Sequence, residues 1–223
     1  MGYVEPARQF ALEKASNEWI LVVDADELVP FKLKNNIVEI AEQDMADVVY
    51  IPRNNYFFGK LLRGTGWGPL QDVQPRFFKK SFMSFSPAIH SIFQIKDGAR
   101  IYYIKDPEAG FIHFSYIDVD HFLDKLNRYT TIEAKNMYKG VKEPLTLKKL
   151  LIKIFKTLIG RFIARKGYKD SIYGFSLTIL MLAYHTSAYL KYKIMEKFET
   201  DNPRDKILLE YKRIAEKIIE EYK

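Results

Sequence analysis

Apolar and polar positions divide the chain into short extended runs and longer helical stretches. The apolar run at 19–23 precedes a cluster of acids and predicts a strand buried on both faces, as in a parallel sheet covered by helices. Helices are predicted before and after it, over 7–14 and 33–43. This alternation of helix and strand is typical of an α/β fold.

Further strands are predicted at 48–51, 76–80, 89–95 and 100–104, the last three antiparallel to their neighbours. The first of these should end at Pro52, because proline interrupts a strand ladder. A loop rich in glycine and aromatic residues is predicted over 56–72. A loop of this length often has a function, and its exposed aromatic rings could carry sugar rings. Alternatively, these rings pack beneath the loop.

Helical periodicity dominates the rest of the chain, from a polar helix at 118–137 to two helices at 172–195 and after Pro203. In the segment 147–162, apolar residues recur at three- and four-residue spacing opposite a row of lysines. This pattern fits a helix lying in an anionic membrane surface, and equally a surface helix packed on its own domain; the scarcity of acids favours the membrane. We therefore divide the chain into a sheet domain, 1–140, and a helical appendage, 141–223.

The composition limits the classes of function. Hydrophobic residues make up 48% of the 223 residues, so the chain can bury a core and is not a disordered protein. It contains no cysteine, which excludes a disulfide framework or a thiolate metal site within it. The net charge of +7 predicts an anionic partner: nucleic acid, anionic lipid or a phosphorylated substrate.

Candidate metal ligands follow the first predicted strand. Asp24 and Asp26 lie where ligands bind in α/β sheets, outside the carboxyl end of a strand. In an extended chain both side chains would point to the same side with Ala25 opposite, and could hold a divalent cation and its diphosphate. Alternatively, the acids form a solvated turn or cap the next helix. His90 and His113 lie in or beside predicted strands, as hydrogen-bonded core residues or as metal ligands.

Several segments, in order, resemble family 2 glycosyltransferases of the GT-A fold, most closely the bacterial and archaeal branch that includes lipopolysaccharide core β-glucosyltransferases. The similar segments are 5–12, 19–27, Arg53-Asn54 with Phe58-Gly59, 66–78, His90, 112–116, Lys125 with 128–130, and 167–170 with Gly174-Phe175. The resemblance implies an α/β, GT-A-like (Rossmann-like) mixed sheet with a C-terminal helical appendage.

The chain also departs from this family. Gln9 stands where relatives usually carry Asn, and Ser91 follows His90 where they usually carry Glu. Relatives begin with about two further strands that contact the base and ribose of the donor. We therefore expect the sheet to be N-terminally truncated and this chain to bind nucleotide poorly or not at all. The missing strands would belong to a longer form of the chain or come from another chain.

The resemblance implies an inverting glycosyltransferase that moves a sugar from a nucleotide-diphosphate sugar to a cell-envelope glycan or lipid-linked acceptor. Mg²⁺ or Mn²⁺ would neutralise the departing diphosphate, and Asp72 matches the general base that activates the acceptor. The metal ligands would be Asp24 and Asp26 with His113 or His90; Arg8 would assist them, and Gly64, Gly66 and Trp67 would line the donor sugar or acceptor.

The expected location is cytoplasmic, at the inner face of the cell membrane, with the anionic membrane surface as a further partner. The alternative is a non-catalytic, degenerate module that binds an anionic membrane surface or a partner chain. The short start favours this alternative, whereas the intact Asp24, Asp26 and Asp72 oppose it. Nucleic-acid binding would rest on net charge and aromatic content alone, and we expect no nucleic-acid partner.

Overall fold

A computed structural model describes residues 5–85 and 93–222 of the chain. The helices are α1 (Glu5–Lys14), α2 (Phe31–Glu42), α3 (Val119–Tyr138), α4 (Leu147–Leu158), α5 (Ile172–Phe198) and α6 (Arg204–Glu220). The strands are β1 (Trp19–Leu21), β2 (Glu27–Leu28), β3 (Val48–Phe57), β4 (Lys60–Leu61), β5 (Val73–Lys79), β6 (Met83–Phe85), β7 (Phe93–Ile95), β8 (Ile101–Tyr103) and β9 (Phe111–Tyr116). All the predicted helices are present, within a few residues of their predicted ends.

The long strand β3 organises a curled, mixed sheet. On one side it pairs antiparallel with β5, which pairs antiparallel with β1. On the other side it pairs in parallel, first with β8 and then with β9, and β2 adds to β9 antiparallel. The pairing of β3 shifts register once in the β5 ladder and once in the β9 ladder, as at β-bulges. The predicted mixed α/β architecture is confirmed.

The apolar run after α1 forms β1, but the prediction that it lies in a parallel sheet is wrong. β1 pairs antiparallel with β5, Trp19 opposite Lys79, and is an edge strand among the described residues. Its two faces do pack on separate apolar clusters, Trp19 and Leu21 on one and Ile20 on the other. The residues of β1 are partly buried, so the apolar run reflects packing on both faces. It holds no information about the direction of the neighbouring strand. For the same reason β8, expected to be antiparallel, is parallel to β3.

Strand β3 runs through Pro52, where the sequence predicted its end. The backbone N–H of Arg53 donates to the carbonyl of Asp72 on the β5 side (2.9 Å), so the nitrogen of Pro52 points to the opposite side. On that side Val48–Tyr50 pairs with β8 and Arg53–Phe57 with β9, and Pro52 lies between the two ladders. Proline therefore costs the strand no ladder hydrogen bond there.

The predicted loop at 56–72 is shorter than expected. Its first residues complete β3, and a hairpin leads into β4 through Phe58 and Gly59, both with positive φ. The segment that remains irregular is 62–72, which we call the glycine loop. It ends next to β5, with Asp72.

Helix α2 covers one face of the sheet. Leu33, Ile37 and Ile40 pack with the buried strand residues Val49 and Ile51. Full burial of each such aliphatic side chain stabilises the fold by about 1.5–3 kcal/mol. A second cluster on the other face contains Leu12 of α1 and Val48, Phe78, Met83 and Phe85.

The C-terminal helices pack on each other and on the sheet. Helix α3 contacts α5 through Ala134, Met137, Ala188, Tyr192 and Met195. A further cluster joins Phe57 and Leu62 to Phe122 of α3 and Leu177 of α5. No helix of the described residues combines the length and apolar character needed to cross a membrane. The division of the chain at residue 140 stays a prediction.

Helix α4 continues into a π-helical turn, Ile159–Ala164. Leu150 is buried on the domain, as the packed-helix interpretation requires. Leu147, Leu151 and Phe155 form an apolar stripe on another side of the helix and are 57%, 57% and 65% exposed. The buried Leu150 fits the packed-helix interpretation, and the membrane interpretation stays a prediction.

Candidate active site

The acids after β1 lie in a turn. The N–H of Glu27 donates to the carbonyl of Asp24 (3.0 Å), and the Glu27 carboxylate accepts from the N–H of Asp24 (2.9 Å). The prediction of an extended chain here, with both aspartates on one side, is wrong because Glu27 supplies the partners that close the turn. Asp24 and Asp26 consequently engage different partners.

Asp24 is bound by two arginines. Arg8 Nη2 donates to Asp24 Oδ1 (3.0 Å), and Arg76 Nη2 donates to Asp24 Oδ2 (2.6 Å). Burial opposes the ionisation of Asp24, but its hydrogen bond to Arg76 and the charges of Arg76 and Arg8 bring its pKa below the ordinary 3.8. Asp24 is therefore ionised, and its carboxylate binds the guanidinium of Arg8.

Glu27 lies at the centre of the charged network, with its side chain fully buried. Arg53 Nη1 approaches its carboxylate at 3.5 Å and Arg76 Nη2 at 3.3 Å. Removal of one partner from a buried ion pair leaves an uncompensated charge, so this position is sensitive to substitution. Glu27, Arg53 and Arg76 were not among the predicted site residues. Arg53 and Arg76 lie in segments that resemble the transferases, and that was the available signal.

Asp72 forms a bidentate ion pair with Arg53, whose Nε and Nη2 each donate at 3.0 Å. The amides of Asn55 (3.0 Å) and Gln74 (3.2 Å) also donate to it. Burial alone would raise the pKa of Asp72, but the charge and hydrogen bonds of Arg53 lower it below 3.8. The predicted base is thus ionised and oriented, with hydrogen-bond donors on both oxygens.

Asn55 connects Asp72 to His113. Its amide nitrogen donates to Asp72 Oδ2 (3.0 Å) and to the carbonyl of Trp67 (2.8 Å), which assigns its other atom as the acceptor oxygen. This oxygen lies 2.5 Å from Nδ1 of His113, placed there because Asn55 and His113 are partners in the β3–β9 register. Nδ1 therefore donates, and Nε2 of a neutral His113 has a free lone pair.

That lone pair faces a carboxylate. Nε2 of His113 lies 3.5 Å from Oδ2 of Asp26, whose side chain is 43% exposed. Burial, and next the charge of Arg53, lower the pKa of His113 below its ordinary 6.5, so the ring is neutral at neutral pH. Two hydrogen-bond acceptors then face each other, an arrangement that a bound cation or a proton would stabilise.

The Asp26–His113 pair offers one carboxylate and one imidazole ligand to a divalent cation such as Mg²⁺ or Mn²⁺. Such ions are usually held by one or two carboxylates together with substrate phosphates and water, and imidazole is a common ligand of transition metals. Among the described residues no group of three or more His, Asp or Glu side chains could hold an ion by itself. The structure thus brings Asp26 and His113 together and leaves Asp24 to the arginines. His90 lies outside the described residues.

The glycine loop is held by the C-terminal region. Both oxygens of the fully buried Asp170 accept backbone N–H groups, from Arg63 (2.7 Å) and Gly64 (2.8 Å). A Cβ on Gly64 would overlap the carbonyl of Lys166, so this glycine allows close packing of two backbones. Packing of the glycine loop on the C-terminal region therefore accounts for Gly64, one of the loop residues predicted to line the substrate.

Trp67 has a packed ring and a half-buried side chain. Phe57 contacts it from below at a centroid distance of 5.0 Å, and the guanidinium of Arg161 lies 4.1 Å from its centroid. Gly66 has φ +88° and donates its N–H to Oε1 of Gln71 (2.9 Å). For Trp67 the alternative prediction, that the aromatic rings pack beneath the loop, describes the structure.

Residues 4–99 match the family model for glycosyl transferase family 2. The matched segment includes Arg8, Asp24, Asp26 and Asp72, and it ends before His113 and the C-terminal helices. The matched segment is similar to family 2 glycosyltransferases, and the curled mixed sheet with its C-terminal helical region is consistent with a GT-A-like fold. Enzymes of that family take a sugar from a nucleotide-sugar donor and pass it to an acceptor.

Proposed function

We propose that the chain is an inverting, metal-dependent glycosyltransferase that uses a nucleotide-diphosphate sugar and a cell-envelope glycan or lipid-linked acceptor. The observation that carries the proposal is the position of His113: its Nε2 lies 3.5 Å from Asp26 Oδ2, while Asn55 links its Nδ1 to Asp72. The family match over 4–99 supports the reaction class, and the resemblance of segment 66–78 supports the branch of cell-envelope enzymes.

On the donor side, Asp26 and His113 would hold Mg²⁺ or Mn²⁺, which supplies compensation for the charge that develops on the departing diphosphate. Arg8 is 25% exposed and reaches Asp24 from solvent, so its guanidinium can turn towards a phosphate without uncovering a buried group. Asp24 would then act through Arg8 and Arg76, orienting positive charge towards the donor.

On the acceptor side, Asp72 would accept the proton of the attacking hydroxyl. The bidentate pair with Arg53 keeps the carboxylate ionised and fixes its plane. The bond from Gln74 is the longest of the four to Asp72, at 3.2 Å. An acceptor hydroxyl that displaces the Gln74 amide would therefore meet Oδ1 without breaking the pair with Arg53.

The proposed location is an anionic membrane surface, reached through α4. Its exposed stripe of Leu147, Leu151 and Phe155 supplies apolar area, and lysines on the same helix supply positive charge. A membrane-bound acceptor would then be presented near the glycine loop, because the π-helical turn that follows α4 contacts this loop through Arg161.

Replacement of Asp26 tests the donor site. Asp26→Asn should weaken Mn²⁺-dependent binding of a nucleoside diphosphate at least about tenfold, because the amide is a poorer metal ligand than the carboxylate. Calorimetric titration of a panel of nucleoside diphosphates, with and without Mn²⁺, gives the affinities. Asp97→Asn, in an exposed turn, is the matched control.

An unchanged Mn²⁺ titration of Asp26→Asn would contradict the metal assignment. If the wild-type protein binds no nucleoside diphosphate at all, the non-catalytic module becomes the better account of this chain.

A further inference from the structure

A basic cavity lies between α4, the π-helical turn and α5. Its volume is about 570 Å³, and its wall carries five cationic side chains from α4, the turn and the residue that follows the turn. They are Lys149, Lys153, Lys156, Arg161 and Arg165. The thioether of Met181 and the side chain of Ile152 provide part of the apolar wall. We call this cavity the basic pocket.

Carboxylates compensate only part of this charge. Lys149 pairs with Glu143, and Lys153 lies 3.7 Å from Glu133, which also pairs with Lys142 at 2.5 Å. Within the described part of the chain, no carboxylate lies in ion-pair distance of the other three cations. They are Lys156, Arg161 and Arg165.

Arg161 shows the electrostatic consequence. Burial, and then the charge of Arg165, lower the pKa of Arg161 to about 10, so the group is still a cation at neutral pH. An anion in the basic pocket would relieve this repulsion, and arginine binds phosphate oxygens with well-defined geometry.

His185 is a mostly buried residue of the same wall. The side chain is 9% exposed, its Nε2 lies 3.1 Å from Oγ1 of Thr157, and its buried Nδ1 has no hydrogen-bond partner among the described residues. Burial, and next the charge of Lys153, lower the pKa of His185 to about 4, so the ring is neutral.

The basic pocket shares a wall with the candidate active site. Arg161 Nη1 donates to the carbonyl of Thr65 (2.7 Å) and stacks on Trp67. The carbonyl of Trp67 in turn accepts from Asn55, which also donates to Asp72. A group bound in the basic pocket is therefore connected to the proposed base, Asp72, through Arg161, Trp67 and Asn55.

We propose that the basic pocket binds a phosphate group of the acceptor, so that the proposed transferase acts on a phosphorylated acceptor. The inference rests on the proposed function. Anchoring the acceptor through its phosphate would orient the attacking hydroxyl at Asp72, a positional effect that contributes to catalysis. The phosphate belongs either to a lipid headgroup or to a soluble sugar phosphate, and both present the same tetrahedral anion.

Methyl phosphate, titrated calorimetrically in EDTA, is the probe. The wild-type protein should bind it saturably, and Lys153→Gln/Lys156→Gln should raise the Kd at least about tenfold, because two charge-assisted contacts are lost. Lys148→Gln, an exposed lysine of α4 outside the pocket, is the matched control and should leave the Kd unchanged. Absence of saturable binding, or an equal loss in Lys148→Gln and the double variant, would overturn the proposal.

The Asp26→Asn variant separates this result from that of the proposed function. It should bind methyl phosphate like the wild type while losing Mn²⁺-dependent nucleotide binding. Lys153→Gln/Lys156→Gln should lose methyl phosphate binding and keep Mn²⁺-dependent nucleotide binding. If methyl phosphate binds but no nucleoside diphosphate does, the pocket stands and the transferase does not.

Two further titrations identify the source of the phosphate. Short-chain phosphatidic acid, kept below its micelle concentration so that no membrane surface is present, tests the lipid headgroup, and glucose 1-phosphate tests the soluble sugar phosphate. The source is the probe whose binding the double variant weakens while Lys148→Gln does not. Failure of the double variant to weaken either would overturn the proposal.

Discussion

Individual side chains of the candidate site are held by alternating charges. Asp24, Glu27 and Asp72 each face an arginine, and Arg76 and Arg53 each bridge two carboxylates. Such a network fixes its members in one geometry, which a catalytic site requires. It also makes the buried members sensitive to truncation, because the remaining charges lose their compensation.

Glu27→Ala tests that sensitivity. We expect it to lower the free energy of unfolding by about 3–5 kcal/mol, because Arg53 and Arg76 would lose a fully buried counter-charge. Urea denaturation followed by circular dichroism measures the change. Glu108→Ala is the matched control: its carboxylate is 78% exposed and pairs with Lys32, and such pairs contribute about 0–1 kcal/mol. Equal effects of the two substitutions would contradict the buried network.

The sequence pointed to Asp26, His113 and Asp72 but not to how they are connected. These predictions rested on the order along the chain of the segments that resemble family 2 glycosyltransferases. The link between them is Asn55, whose role depends on the register between β3 and β9 and on the carbonyl of Trp67. No pattern along one strand contains this register, so the tautomer of His113 could be assigned only from the structure.

Among the elements, the helices followed their periodicity closely, and the strands did so only in part. Proline lacks the N–H that a strand ladder uses, so Pro52 was predicted to end β3. The strand continues through it because the missing N–H falls between the β8 and β9 ladders. Whether a strand runs parallel or antiparallel to its neighbour depends on distant parts of the chain. The directions predicted for β1 and β8 were therefore wrong. The turn at Asp24 depends on the side chain of Glu27 and was likewise outside a local pattern.

The first turn of α5 depends on a close approach of two backbones. A Cβ on Gly174 would overlap the carbonyl oxygen of Gly167, in the segment that also positions Asp170 under the glycine loop. Gly174→Ala should therefore lower the free energy of unfolding by about 1–3 kcal/mol. Thermal unfolding followed by circular dichroism measures the loss.

Gly160→Ala, in the π-helical turn, is the control for this substitution. Its Cβ would meet nothing within 4 Å, and alanine in a helix is favoured over glycine by about 0.5–1 kcal/mol. A Gly174→Ala protein as stable as Gly160→Ala would show that α5 can shift away from the loop.

At the scale of the whole molecule, the exposed apolar stripe and the excess positive charge lie on the same C-terminal helix. The chain has a net charge of +7, and α4 contributes Lys148, Lys149, Lys153 and Lys156. A surface that combines the two features binds anionic membranes through area and charge together.

Leu151→Gln/Phe155→Gln should release the protein from anionic vesicles without changing the charge of α4. Co-sedimentation with phosphatidylcholine vesicles that contain phosphatidylserine measures the bound fraction. Leu209→Gln/Ile218→Gln is the control, because both side chains are 49% exposed on α6. Full binding by the α4 variant would favour the interpretation that α4 is only a packed surface helix.

The measurement that tests the transferase most directly is the release of nucleoside diphosphate from nucleotide sugars, with Mn²⁺ and a cell-envelope lipid extract as acceptor. We expect slow release by the wild-type protein, in line with the weak nucleotide binding expected from the sequence. Asp72→Asn should lower the rate at least about hundredfold, since general base catalysis is lost. The Mn²⁺-dependent affinity of the Asp72→Asn variant for the nucleoside diphosphate should equal that of the wild type. Release by Asp72→Asn at the wild-type rate would contradict the assignment of Asp72 as the base.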